Sequence, residues 1–288
     1  MDFSGGRMHT IRRPLLALVA FLAVVALVPA QSLLFVPGAG HQATAGGPIW
    51  KTDLTMFNPG SSPESVAVAF LPRSAEPADV AEVTLTIPTG ITVFEDVVGQ
   101  TLLSSGVGAI RLRPSGALEA TSETYLQPSL TQAGVVPPRS QNVVVPALSA
   151  ASGLSQGRIF VANRFGRSET GPTYRLARSN VGFVNPEAQP VRVGIYLVGS
   201  FPGDPTVVRN VDLPGYGFAQ IDDIFDAFGL SGVEIDAGAV EFSAATVLAC
   251  ECPSVDCCPL GPPAPVLGYA TALNMTTCGT TFQAAQGE

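Results

Sequence analysis

Five cysteines, Cys250, Cys252, Cys257, Cys258 and Cys278, all fall beyond residue 249. Thiols this close in sequence can form disulfides, hold a metal or do redox work. Zinc sites usually pair two separated C-x2-C units or add histidines. The one histidine beyond residue 30, His41, is some two hundred positions away in sequence. In an exported chain disulfides are the default. Five is odd, so at most two internal bridges form and one thiol is left over. Adjacent Cys257 and Cys258 make a strained pair, so bridges to Cys250, Cys252 or Cys278 are expected. The expectation is a stapled loop over 250–265, with no metal bound.

Acid–base chemistry has few candidates. His41 is the histidine that a Ser-His-Asp triad would need, and no nucleophile elbow is expected beside it. Lys51 is the only lysine. Asp53, Glu119 and Glu123 could supply a carboxylate pair for glycoside hydrolysis, but each lies in a stretch that reads as ordinary strand. Two acidic pairs, Glu95-Asp96 and Asp222-Asp223, could contribute to a Ca²⁺ site. Calcium needs six or more oxygens, and no D-x-D-x-D-G pattern surrounds either pair. Acids that open a short helix are accounted for by capping and the helix dipole. Trp50 and Tyr125, with Tyr174 and Tyr269, could form a sugar-stacking platform, although a Trp on the first strand of a sandwich is more often core. No catalytic residue, cofactor or metal ligand is therefore assigned.

The elements that must position these residues follow from composition and patterning. The chain has 288 residues, 46% apolar and only 13% charged, with 30 Gly and 25 Pro. That mixture suits many short strands and turns. Residues 1–30 read as a secretory signal peptide: Arg7, Arg12 and Arg13, then an apolar run from Leu15 to Val28, then Val28-Pro29-Ala30. No later run is long enough for a membrane span. The formal net charge is −8 and no basic cluster exists, which disfavours nucleic acid and anionic membranes as partners.

Trp50-Lys51-Thr52-Asp53-Leu54-Thr55-Met56-Phe57-Asn58-Pro59 has an echo at Ala177-Arg178-Ser179-Asn180-Val181-Gly182-Phe183-Val184-Asn185-Pro186. Both alternate with a period of two and close on Asn-Pro, as a strand ended by a turn does. Val66, Val68 and Phe70 are matched by Val193, Ile195 and Leu197. Gly90 to Val97 aligns with Gly217 to Ile224 without a gap, and Ala109 to Leu112 with Ala239 to Phe242. Matches in the same order indicate a duplication. The fold class expected is all-β: two tandem immunoglobulin-like antiparallel β-sandwich repeats, each with one short helix. The first spans 31–140. The second spans 141–288 and carries the cysteine-rich insertion 250–265. Leu33–Val36 and Val143–Val145 are read as their opening strands, with His41 to Pro48 as a loop and Arg158–Asn163 as an extra strand.

Trp50-x-Thr52-Asp53-x5-Pro59, the acidic-led helices after Phe94 and Ile221, and the strand Leu267-Gly268-Tyr269-Ala270-Thr271 resemble a repeat of secreted bacterial β-sandwich proteins of unknown function. The resemblance implies export and a β-sandwich, with no catalytic assignment. The repeat motif Trp50, Thr52, Asp53, Asn58, Pro59, Ser179, Asn180, Asn185 and Pro186 is read as structural. The function expected is that of a non-enzymatic module, secreted, periplasmic or on the cell surface. It would bind an extracellular protein or glycan through loops 38–48, 147–174 and 250–265. The alternative is a secreted hydrolase or carbohydrate-binding accessory domain.

Overall fold

A computed structural model describes residues 33–45, 47–73, 80–128, 140–166, 174–199, 208–249, 258–274 and 280–287. Residues 1–30, the stretch read as a signal peptide, lie outside them. Among the described residues no helix is long and apolar enough to cross a membrane. The first sheet takes β1 (Leu34–Ala43), β2 (Ile49–Asn58), β3 (Glu64–Pro72), β4 (Glu82–Ile87), β5 (Gly90–Phe94), β6 (Gly106–Pro114), β7 (Glu119–Gln127), β8 (Ser140–Pro146) and β9 (Leu148–Ser149). Its order is β4-β3-β6-β1-β2-β7-β8, with β5 on β2 and β9 on β1. The second takes β10 (Gln156–Gly166), β11 (Tyr174–Val184), β12 (Val191–Gly199), β13 (Arg209–Leu213), β14 (Phe218–Ile221), β15 (Ile235–Val247), β16 (Leu260–Pro263), β17 (Leu267–Asn274) and β18 (Thr280–Ala284). Its order is β13-β12-β15-β10-β11-β17-β18, with β14 on β11 and β16 on β15. The fold is all-β, and one strand order is written twice.

Each nine-stranded sheet doubles back on itself because one strand serves two layers. Leu34 to His41 of β1 pair with β6, and then Gln42 and Ala43 pair with β2. A bulge between Pro37 and Ala39 makes the bend, and Gly38 sits there at φ +72°. That conformation costs glycine no Cβ clash. β10 does the same, pairing with β15 up to Asn163 and with β11 from Arg164. Inward side chains follow the period of two. Leu54 and Met56 meet Val66, Val68, Ile110 and Leu112 in the first core. Val181 and Phe183 meet Val193, Ile195, Val240 and Phe242 in the second. Each such side chain contributes about 1.5–3 kcal/mol of burial. One helical turn per copy covers a sandwich end: a π turn at Val97–Thr101 and an α turn at Ile224–Ala227.

A third cluster joins the copies. Phe35, Leu71 and Ala109 come from the outer face of the first copy, and Val184, Phe218, Leu267 and Tyr269 from the second. Tyr269 is fully buried and stacks between Phe218 and Phe282, with centroids at 6.5 and 5.8 Å. Its ring occupies the space that a Cβ at Gly182, its cross-strand partner, would need. Arg111 crosses the junction to lie 5.0 Å over the Tyr216 ring.

The strand pairing changes three expectations. Val143–Val145 belongs to β8, which pairs with β7, so it closes the first copy instead of opening the second. The strand containing Arg158–Asn163 is no extra: as β10 it is the counterpart of β1. His41 lies in β1, which runs on through the Gly/Ala stretch to Ala43.

Candidate functional site

The repeat motif is used up in holding strands together. By register Gly40 would oppose Thr52, but β1 has bent away there. Thr52 Oγ1 instead accepts the Gly40 N–H at 2.7 Å and donates to its carbonyl at 3.1 Å. Ser179 does the same for Ala162, at 3.0 Å each way. Asp53 Oδ1 accepts the Asp96 N–H at 2.9 Å, and Asn180 Oδ1 accepts the Asp223 N–H at 3.0 Å. Asp96 and Asp223 are left-handed, at φ 44° and 60°, and each caps its helical turn. Asn58 Nδ2 donates to the carbonyls of Ser62 and Ile87 while its Oδ1 accepts the Gly60 N–H. Asn185 does likewise with Gln189, Pro214 and Glu187. Pro59 and Pro186 then end the strands by withholding an N–H.

Around Asp96 the first copy gathers its scarce ionisable groups. His41 Nδ1 lies 2.9 and 3.0 Å from the two carboxylate oxygens, and Lys51 Nζ lies 3.4 Å from one of them. Tyr125 donates to Asp53 Oδ1 at 3.2 Å. A carboxylate on Nδ1 orients an imidazole as in a hydrolytic triad. Among the described residues, however, no hydroxyl or thiol hydrogen-bonds to Nε2. The second copy has lost this knot. Asn163 stands in the place of His41 and donates to the Val233 carbonyl at 2.7 Å, Arg178 replaces Lys51, and Leu273 replaces Tyr125.

Freed from that knot, Arg178 lines a cleft of about 370 Å³ at the junction of the copies. One wall is β1 from Gly38 to Ala43 with the turn after it, together with Trp50, Thr124 and Val143. The other is the outer face of the second copy, carrying Asn180, Gln220, Asp222, Thr271 and Thr280. Asp222 is held by both guanidinium nitrogens of Arg73 at 2.9 Å and by Gln220 Nε2 at 2.6 Å, and Gln220 Oε1 accepts from the Tyr269 hydroxyl at 2.6 Å. Burial opposes ionisation of Asp222, but the hydrogen bonds from Arg73 and Gln220 and the charges of Arg73 and Arg178 prevail. Its carboxyl stays below the ordinary range. Two buried polar atoms of residues that line the cleft, Arg178 Nε and Thr280 Oγ1, have no hydrogen-bond partner among the described residues. Buried polar groups are nearly always satisfied, so these two leave unused hydrogen-bonding capacity just behind the cleft wall.

Trp50 is half-buried on this cleft, outside the first core, which corrects the expectation that it packs inside. Tyr125 and Tyr269 are buried, and the Tyr174 side chain lies outside the described residues. Among the described side chains the platform is thus one aromatic. Asp53, Glu119 and Glu123 do not line the cleft: Asp53 is buried in its cap, Glu119 opposes Phe57, and Glu123 accepts from Asn142 at 2.9 Å. Of each acidic pair one member caps, while Glu95 is exposed and Asp222 is paired. The spacing G-x-S-x-G does occur, at Gly153-Leu154-Ser155-Gln156-Gly157, against the expectation that no elbow exists. It opens strand β10, so it lacks the strand–turn–helix setting of a nucleophile elbow.

Of the expected binding loops, 38–45 reaches the cleft. The 147–174 segment contributes β9 and all of β10, and 260–263 is strand β16. Cys250, Cys252, Cys257 and Cys278 lie outside the described residues, whereas the sulfur of Cys258 is held in a disulfide. Arg178, Gln220 and Thr280 carry no mark of a site in the sequence, and Asp222 is marked there only within an acidic pair, since the junction that unites them leaves no local signature. Compared with known proteins, the chain matches no family model and no curated sequence.

Proposed function

We propose that the protein is an exported, non-enzymatic binding module that holds a polar ligand, a segment of a glycan, in the cleft between its two copies. One observation carries this reading: a concave site with a single half-buried indole, a guanidinium and hydroxyls, two of whose lining residues carry buried donors with no partner among the described residues. Few, fixed polar groups beside an aromatic surface are what orient a sugar. Export and a location in the periplasm, on the cell surface or outside the cell rest on the signal-like segment 1–30 and on the resemblance to secreted repeat proteins. A cystine staple over 250–265 fits that compartment.

The test is a glycan and matrix-protein binding screen on the purified chain, repeated with Trp50→Ala and Thr280→Val. Loss of a stacking indole should weaken binding about tenfold, or roughly 1.4 kcal/mol. Hits that bind both variants as well as the unsubstituted chain would move the site elsewhere. A second reading, a secreted hydrolase, is favoured by the oriented His41–Asp96 pair alone. It requires turnover of ester or glycoside substrates that disappears in His41→Gln.

A further inference from the structure

The junction inside the chain is made from two different faces. The first copy offers the outer face of β3, β6 and β1, and the second offers the outer face of β11, β14 and β17. A contact of this kind is heterologous, and repeating it need not close. Because the chain is a duplication, each copy carries both faces. The first copy's version of the second face, and the second copy's version of the first, are left uncovered.

Among the described residues, these two faces hold most of the exposed large apolar side chains. The pair Phe57 and Ile91 stands in the register of Val184 and Phe218. Val144 stands in that of Phe282, which stacks on Tyr269. All three are exposed: Ile91 is 72% exposed, whereas Phe218 in the junction is 3%. On the other face, Val198 and Ala239 repeat the pair Leu71 and Ala109, and Tyr196 and Glu241 repeat Ala69 and Arg111. Phe160 stands in the place of Pro37. Val198 is 41% exposed and Leu71 3%. Such apolar surface on both faces marks an interaction site.

Charge follows the same logic. Phe35 and Leu267 both lie in the junction cluster. Their counterparts on the uncovered faces are Arg158 and Glu119, of opposite sign. Arg158 is at present paired with Glu241 on its own face. Docking that repeats the internal junction would bring Arg158 and Glu119 into one interface. We infer that the partner of these faces is a second copy of this chain, docked head to tail in the geometry of the internal junction.

Sedimentation velocity on the purified chain, from sub-micromolar to hundreds of micromolar, reads the association. Mass should grow with concentration beyond a dimer. Ile91→Lys spoils one face and Val198→Lys the other, and both positions are exposed, so each variant should fold, checked by circular dichroism. Each alone should be monomeric, with association weakened at least about tenfold. Mixed together, each keeps one sound face, so they should form a one-to-one dimer that grows no further. Leu103→Lys, exposed but off both faces, should associate like the unsubstituted chain. A chain monomeric at every concentration, association that survives either single variant, or a mixture that stays monomeric would overturn the proposal.

Discussion

The Asn-Pro closure of β2 and β11 makes a quantitative prediction. Asn58→Ala removes three hydrogen bonds, to the Ser62 carbonyl, the Ile87 carbonyl and the Gly60 N–H, at 2.9, 3.1 and 2.8 Å. Gly60 and Ser62 are exposed and can turn to water, so each bond contributes about 0.5–1 kcal/mol. Ile87 is fully buried, and stripping its carbonyl of this donor costs about 1–2 kcal/mol. The total is about 2–4 kcal/mol, a large share of an ordinary domain's stability. Asn58→Asp replaces the donating amide by an oxygen that faces two carbonyl oxygens. It should cost more than the alanine at neutral pH and recover when the carboxylate is protonated. Asn185 makes the same three bonds, so Asn185→Ala should fall within about 1 kcal/mol of Asn58→Ala. Urea unfolding followed by far-ultraviolet circular dichroism reads all three variants. A loss below about 0.5 kcal/mol for Asn58→Ala, or an aspartate variant more stable than the alanine at neutral pH, would refute the clamp.

Gly182→Ala places a methyl group against the buried Tyr269 ring, so it should cost about 1–3 kcal/mol and perturb the near-ultraviolet signal of that stack. Asp96→Asn keeps an oxygen for the cap but removes the charge shared by His41 and Lys51. It should lower the thermal midpoint by a few degrees, and His41→Gln should add little in that background. The carboxyl of Asp222 is depressed in the folded chain, so its stabilisation is present above the ordinary carboxylate range and is lost as pH falls through the depressed value. The Arg73–Asp222 pair is partly exposed, so Arg73→Gln should cost at most about 1 kcal/mol at neutral pH. That gap to the unsubstituted chain should shrink as the medium is acidified. A gap that widens in acid would contradict the pairing.

Much of this fold is legible in the chain because parity survives divergence. Leu54 and Met56, or Val181 and Phe183, announce inward faces, and the ungapped match of 90–97 with 217–224 carries both caps. Parity names a face but never a neighbour. Val143–Val145 alternates equally well beside β7 or at the head of a new copy, and only the pairing decides. The Gly/Ala run after Val36 looks like a loop because glycine lacks a side chain to alternate. In the fold that run is a strand bending through a bulge. Trp50 shares the parity of Leu54 but lies beyond the point where the two layers close, so it ends on the cleft. The cleft is the least legible part: Arg178, Asp222 and Thr280 are far apart in sequence and meet across a junction made by outward-facing residues.

Trp50 is the only tryptophan in the chain, and it stands half-buried on the wall of the cleft. The molecule therefore carries a single indole fluorophore, which can be excited apart from its tyrosines, at the place where a ligand would sit. Its emission has no second indole to dilute it, and its accessibility to a quencher is that of the cleft itself. Occupancy of the cleft can be followed optically in the unlabelled protein, in the same titration that measures affinity.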